Sequence, residues 1–327
     1  MKAIVYHKYG SPDVLELKEV EKPIPKDDEV LIKVHAASAN PLDWHNLRAN
    51  PFFLRLIGSG LLKPKNKILG ADIAGCVEAV GRNVKQFHPG DDVFGGIPHG
   101  GFAEYACANE NALALKPSSM TFEEAAAVPV AALTALQGLR DKGQIQPRQK
   151  VLIHGASGGV GTFAVQIAKS FGAEVTGVCS TMNLDMVRSI GADQVIDYTQ
   201  KDFTQNGQRY DLILAVAGDR SIFEYKRSLS PKGIWVLIGG SSVGQFFAAM
   251  FLGSMISMFG SKKMGAMMAR VNQKDLIFLR ELFEAGKVVP VIDRRYSLSE
   301  VPEAIRYLEE GHAQGKIVIT VGHNNKT

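Results

Sequence analysis

The chain has 327 residues, 46% hydrophobic and 21% charged, with 37 basic against 33 acidic side chains and a net charge of +4. That length suits about two domains around large buried cores, and the interspersed charge excludes a nucleic-acid-binding stripe or a polybasic membrane patch. Cys76, Cys107 and Cys179 are too scattered for a disulfide framework or a metal-ligand spacing, and residues 3–6 are too short an apolar run for a secretory signal. A cytoplasmic protein is therefore expected.

Residues 1 to about 125 read as a β-rich module. Strands are predicted over 2–6, 15–19 and 29–37, separated by Gly10-Ser11-Pro12 and by Pro23 and Pro25. The third sets Val30, Ile32 and Val34 against Leu31, Lys33 and His35, as a strand with unlike faces would. ASANPLDW (37–44) opens a Leu/Lys/Pro-rich segment to residue 67, read as loop with a helical piece. GADIAG (70–75) leads into a strand over 76–80, GDDVFG (90–95) feeds another, and 100–107 continues the β character.

From Thr121 the pattern changes. Ser119 or Thr121, with Glu123 and Glu124, marks a helix start, and 125–139 is a small-residue helical tract. Strands at 151–154, 174–178, 194–196, 212–215 and 234–237 then alternate with helices, which implies a doubly wound parallel sheet. The first strand runs into GASGGVG (155–161) and then a helical spacing of Phe163, Ala164, Ile167 and Ala168. Strand, small-residue turn and helix are the context of a dinucleotide seat: the backbone comes close to a pyrophosphate, and the helix N-terminus holds the anion. Ala156, Gly158 and Gly161 take the three positions of G-x-G-x-x-G, with Ser157, Gly159 and Val160 between them.

The stretch 244–270 is rich in Phe and Met and carries no charge from 244 to 261, about 18 residues against the roughly 20 that a spanning helix needs. Helical core with a dimer surface, a flexible apolar substrate mouth and attachment to a membrane surface remain open readings. Residues 289–296, a helix over 299–310 and a strand over 316–321 return to the first module's character. The expected division is 1–125 completed by 285–327, and 126–284.

With these pieces the chain resembles the medium-chain dehydrogenase/reductase superfamily, and within it the zinc-independent quinone oxidoreductase group. The GADIAG, GDDVFG and GASGGVG motifs and GHAQGKIVIT (311–320) follow the family's order over nearly the whole length. The resemblance implies an α/β fold: a Rossmann domain with a doubly wound parallel sheet, plus a β-rich GroES-like domain. Zinc-dependent relatives carry Cys near the start of the ASANPLDW stretch and His second in G-H-E-x-x-G. Here the first stretch offers Asn40 and Asp43, the second Ala71 and Asp72, and no four-cysteine lobe exists. A zinc site needs three or four protein ligands, so no metal is expected, and His45, His88 and His99 stay scattered loop histidines.

Without a Lewis acid, the chemistry left is hydride transfer to an electron-poor acceptor, a quinone or an α,β-unsaturated carbonyl. The resemblance places Asn40, Asp43 and Thr134 at the nicotinamide, with Asn40 as a donor to the substrate oxygen and Asp43 mainly holding the loop. It brings Ala217, Gly218, Ile238, Gly239 and Gly240 to the cofactor at two strand ends, and Tyr198 to the nucleotide. Lys316 either approaches the cofactor or faces solvent. The position about 20 residues beyond the glycine turn lacks the acid that grips an NAD ribose. It holds Ser180 and Thr181, whose hydroxyls favour NADPH, with NADH as the alternative; Met182 replaces the family's usual basic residue, leaving Arg188 or Tyr198 to help. A small-molecule electrophile is the expected partner, with no nucleic acid and no membrane span, in a homodimer. Reduction of 2-alkenals or enoyl thioesters, or an idle NADPH-binding structural protein, are the competing readings.

Overall fold

The computed structural model describes residues 1–50, 60, 62–239 and 243–323. The chain opens with β1 (Lys2–Val5) and β2 (Glu16–Glu19), an antiparallel pair. The eleven-residue β3 (Glu29–Ala39) follows, then α1 (Pro41–Arg48), β4 (Asp72–Val80), β5 (Asp92–Gly96), β6 (Tyr105–Asn109), β7 (Leu113–Leu115) and α2 (Phe122–Ala126). In β3, Val30, Ile32 and Val34 are buried while Lys33 and His35 are half-buried, as the alternation requires; Leu31 is buried too. β4 begins at Asp72, four residues before the expected start. Gly75 permits this: a Cβ there would lie 2.1 Å from the Lys33 carbonyl oxygen, so the two strands cross more closely than side chains allow. The strand expected at 100–107 lies instead at Tyr105–Asn109, starting five residues later and ending two residues later. The helical tract at 125–139 is broken, because Pro129 has no N–H to continue α2 and instead starts a new helix.

That helix is α3 (Pro129–Gln137), followed by β8 (Lys150–His154), α4 (Gly159–Ser170), β9 (Glu174–Cys179), α5 (Leu184–Ser189), β10 (Gln194–Asp197), β11 (Tyr210–Ala215), α6 (Ile222–Ser228), β12 (Leu229–Leu237), α7 (Val243–Phe259) and β13 (Lys263–Ala266). The six strands form one parallel sheet in the order β10-β9-β8-β11-β12-β13. This is the doubly wound order, with the reversal between β8 and β11. Apolar runs such as Val151–Leu152–Ile153 and Leu212–Ile213–Leu214 are fully buried, as strands covered on both faces must be. The sixth strand, inside the Phe/Met-rich stretch, is absent from the sequence expectation.

The chain ends with α8 (Gln273–Glu284), β14 (Ile292–Ser297), α9 (Val301–Glu309) and β15 (Lys316–Thr320). β15 pairs antiparallel with β3 and parallel with β14, extending the sheet to the order β14-β15-β3-β4-β5-β7, with β6 also on β3. Ile32, Val34, Phe102, Ile305, Ile317 and Ile319 share its core. Two compact units result: Met1–Ala131 with Val271–Glu284 and Ile292–Thr327, and Ala132–Arg270 with Ala285–Val291. The expected division placed 271–284 in the nucleotide domain. Instead α8 packs against β7 in the first unit, where its Leu276 and Leu279 are buried.

Candidate functional site

In the second unit, β8 delivers the chain to Gly155 beyond the carboxyl end of the sheet. Gly155 adopts a φ of 88°, and a Cβ there would stand 2.8 Å from that of Ala217. At Gly161 a Cβ would lie 2.0 Å from the Gly155 carbonyl oxygen, so α4 can start this close to the strand only with glycine. The N–H groups of Gly155 and Ala156 donate to Val178 O at 3.1 and 3.0 Å, which pins the turn to β9. Gly158 caps α4, leaving the first-turn N–H groups of Gly159, Val160 and Gly161 without an acceptor inside the helix. Close backbone approach, free donors and the positive end of the helix dipole together suit a pyrophosphate.

The neighbouring strand ends complete this cradle. Asn183 donates to Ser180 Oγ at 3.0 Å and to Ser157 Oγ at 3.3 Å, joining the end of β9 to the glycine turn. Its own Oδ1 is buried and has no partner among the described residues. Thr181 Oγ1 donates to Asp197 Oδ2 at 2.6 Å, and the Thr199 N–H and hydroxyl donate to Asp197 Oδ1. These hydrogen bonds, Thr181's first, hold the Asp197 carboxyl below the usual carboxylate range. A carboxylate therefore stands at this end of the sheet after all, on β10 rather than β9, and it takes the single O–H of Thr181. Ser180 Oγ accepts from Asn183, and its O–H has no acceptor among the described residues. Arg188 pairs with Asp185, while Tyr198 is exposed, its N–H donating to Cys179 O.

Further along the sheet, the Val216 and Ala217 N–H groups donate to His154 O, and Gly218 N–H donates to Gly239 O at 2.9 Å. Ile238 N–H donates to Ala215 O, so the ends of β11 and β12 are knitted into one platform. Gly240 lies outside the described residues. His154, at the end of β8, is buried; its Nδ1 meets Tyr225 OH at 2.7 Å, and burial holds its pKa down at about 4. Thr134 is buried on α3.

The first unit holds a separate buried polar cluster. Asp72 is fully buried; its Oδ2 accepts from Ser38 Oγ at 2.8 Å, Asn40 Nδ2 at 2.9 Å and Lys316 Nζ at 3.2 Å, and its Oδ1 accepts from Val130 N–H at 2.9 Å. Lys316 Nζ also donates to Asn40 Oδ1 at 2.7 Å and to Ala39 O at 3.2 Å. Lys316 thus neither faces solvent nor offers a spare donor to a cofactor: it is 3% exposed, and three acceptors absorb its ammonium. Asp43 caps the start of α1, accepting from the Asn40 N–H at 2.8 Å, and its other oxygen accepts from Gly70 N–H at 2.9 Å. Burial raises the Asp43 pKa to about 7, against the two N–H donors that lower it. Among the described residues, no three His, Cys, Asp or Glu side chains are grouped to hold a metal ion.

Comparison with known proteins matches two segments of the chain to family models. Residues 26–118 match a family model described as alcohol dehydrogenase GroES-like domain, and 190–319 one described as zinc-binding dehydrogenase. The chloroplastic quinone-oxidoreductase QR1 of Triphysaria versicolor is 36% identical over 98% of each chain. The chain belongs to the medium-chain dehydrogenase/reductase superfamily, in its quinone oxidoreductase group. A 2-methylene-furan-3-one reductase of Solanum lycopersicum is 36% identical over 98% of this chain and 79% of its own. The Escherichia coli quinone oxidoreductase complexed with NADPH superimposes with a TM-score of 0.83 at 25% identity, over 98% of this chain and 100% of that one. In this family member the strand ends of the second unit form a Rossmann-type cradle, and the ASANPLDW and GADIAG stretches meet in the Asn40–Asp72–Lys316 cluster. Asn183 and Asp197 are the residues that the sequence reading missed. Asn183 belongs to no motif, and Asp197 stands at the end of β10, well beyond the position about 20 residues past the glycine turn where the ribose-gripping acid is expected.

Proposed function

We propose that the protein is an NADPH-dependent, zinc-independent oxidoreductase that reduces a quinone or an α,β-unsaturated carbonyl. The observation that carries this reading is the cation set between Asn40 and Asp72, at the two stretches where zinc-dependent relatives carry metal ligands. Asn40 offers an amide, Ala71 no donor at all, and the Lys316 ammonium fills the space with three hydrogen bonds. Both stretches lie outside the 190–319 segment matched as zinc-binding.

The residues of the second unit fit a dinucleotide: the Gly161 and Gly155 positions have no room for a side chain, and the first turn of α4 has free N–H donors. Ala156 to Gly161 would hold the pyrophosphate, Ser180 the 2′-phosphate, and Tyr198, Ala217, Gly218, Ile238, Gly239 and Gly240 the remaining edges. When bound, NADPH supplies a hydride. The protein's share is to bind, orient and exclude water. Asn40 is the proposed donor to the oxygen on which negative charge develops. Its contact to Ser38 O is long, at 3.4 Å, so one Nδ2 hydrogen remains to be turned to a substrate. The ammonium on Asn40 Oδ1 polarises that amide and strengthens its N–H as a donor. Asp43 holds the loop that presents Asn40, and Thr134 packs beside the nicotinamide. The reading includes a homodimer in the cytoplasm.

The test is binding and turnover together. NADPH and NADH are titrated separately, and loss of reduced-cofactor absorbance is followed with a quinone, an enone, a 2-alkenal and a simple aldehyde. NADPH oxidation by quinone or enone but not by aldehyde is expected. Reduction of the aldehyde would refute the zinc-free mechanism, and tight binding without turnover would refute catalysis. Light scattering reads the oligomeric state.

A further inference from the structure

Asn183 closes the single turn Thr181–Asn183 that follows β9 and stands one residue before α5. Its N–H donates to Ser180 O at 2.9 Å, and its side chain is only 7% exposed. A buried amide is costly unless its hydrogens find acceptors, and both of these do. Nδ2 donates to Ser180 Oγ at 3.0 Å and to Ser157 Oγ at 3.3 Å. One nitrogen therefore ties the first residue past β9 to the middle of the glycine turn. Asn183 Oδ1, by contrast, is buried and meets no donor among the described residues. The bonds run in one direction: the amide gives and the serines receive.

A serine hydroxyl has one hydrogen to give. Ser157 and Ser180 take the Asn183 bonds on oxygen, so each retains its O–H, and neither O–H has an acceptor among the described residues. Both serines are half-buried. Turned the other way, the amide oxygen would accept both O–H groups and leave the serines only lone pairs to offer. The two orientations suit different ligands. Serine donors answer the acceptor oxygens of a phosphate, whereas serine lone pairs answer the O–H of an unphosphorylated ribose. Residues 179–185 supply no cation, Arg188 is paired with Asp185, and Thr181 has given its O–H to Asp197. At this strand end Ser180 is left to meet an anion with a neutral donor.

We propose that Asn183 is the positioning residue that sets the cofactor preference: by donating to Ser157 and Ser180 it fixes both hydroxyls as donors, Ser180 toward the 2′-phosphate of NADPH and Ser157 toward the pyrophosphate. The inference rests on the dinucleotide reading above and adds how an anion is selected there without a basic residue. Asn183 itself touches neither phosphate and acts through the two hydroxyls. Selection by a neutral donor has a signature that selection by a cation lacks, because salt screens charges and leaves the direction of an O–H untouched.

The test is calorimetric titration of NADPH and of NADH, at low and high salt, into the full-length protein and the variants Ser180→Ala, Asn183→Asp and Asn183→Asp/Ser180→Ala. The parent should bind NADPH more tightly, with a ratio of affinities that does not fall as salt is raised. Ser180→Ala should lower that ratio about tenfold, the worth of one hydrogen bond to a charged group. Asn183→Asp supplies a carboxylate that takes both O–H groups, and it should lower the ratio at least as far at either salt concentration. In the Ser180→Ala background the same change should lower it no more than about twofold at high salt, where only screened repulsion is left. Where Asn183→Asp does not fold, Asn183→Ala reads the same coupling: it should lower the ratio in the parent and leave it unchanged in the Ser180→Ala protein. Equal effects with and without Ser180, or a parent that prefers NADH, would overturn the proposal while leaving the dinucleotide reading intact. A parent that binds neither cofactor would overturn that reading and this inference with it.

Discussion

Replacing Lys316 by methionine tests the buried cluster most directly, because the stem is conserved in volume while the cation paired with Asp72 is removed. Asp72 would then sit fully buried with three neutral donors, Ser38, Asn40 and the Val130 N–H, and no positive charge. Asn40 Oδ1 would also lose its 2.7 Å donor. Removing one member of a buried ion pair costs about 3–5 kcal/mol, because the uncompensated charge remains. For a unit of this size that corresponds to a fall in Tm of roughly 10 °C. The assay is thermal and urea unfolding followed by Trp44 fluorescence in a Trp235→Phe background, since Trp44 lies on α1 beside Asp43. The double change Lys316→Met/Asp72→Asn removes both charges and should recover half or more of the loss. A Lys316→Met protein within about 0.5 kcal/mol of the parent would refute the argument that this ammonium neutralises Asp72.

Three further outcomes follow from the described contacts. Asp43 has a folded pKa of about 7 against an ordinary 3.8, so from about pH 4 to pH 7 the unfolded chain gives up a proton that the folded one keeps. Stability of the first unit therefore falls as pH rises through that window, and Asp43→Asn should flatten the Trp44-detected slope; an unchanged slope would reject the assignment. Gly161→Ala places a methyl group 2.0 Å from Gly155 O and should abolish NADPH binding measured by calorimetry, at a stability cost of a few kcal/mol. Retained affinity would mean that the turn is not the pyrophosphate seat. Asp197→Asn frees Thr181 from a charged acceptor and removes an anion beside the proposed 2′-phosphate site, so the ratio of NADPH to NADH affinity should rise about two- to fivefold. No change in that ratio would place the ribose elsewhere.

Much of the fold could be read from local pattern. The alternation of five of the six strands and the glycine turn announce themselves because parallel strands are continuous apolar runs and tight turns exclude side chains. What escaped reading was made by pairing across distance. β13 is only Lys263–Ala266 and carries no β-branched residue, so it exists as a strand through its neighbour β12 and through α7 rather than through propensity. Asp197 aligns with Cys179 only through the register of β10 on β9. Lys316 reads as an exposed lysine in a glycine-rich motif, and its burial depends on acceptors from Ala39, Asn40 and Asp72. Asn40 and Asp43 were legible as the loop's polar residues, but their partners were not.

The order of synthesis runs against the order of completion. The nucleotide cradle and its six strands lie within a nearly continuous stretch, Ala132–Arg270, which can close on itself soon after it leaves the ribosome. The unit that emerges first needs β15 from the far end of the chain, and Lys316 reaches Asn40 across 276 residues. Until that strand arrives, Asp72 lacks the ammonium of Lys316, and the edge of β3 that β15 will occupy is bare. The nascent chain thus carries an unfinished first domain throughout the making of the second. A stop codon before residue 316 is expected to leave a folded nucleotide-binding unit attached to a first unit open to proteases.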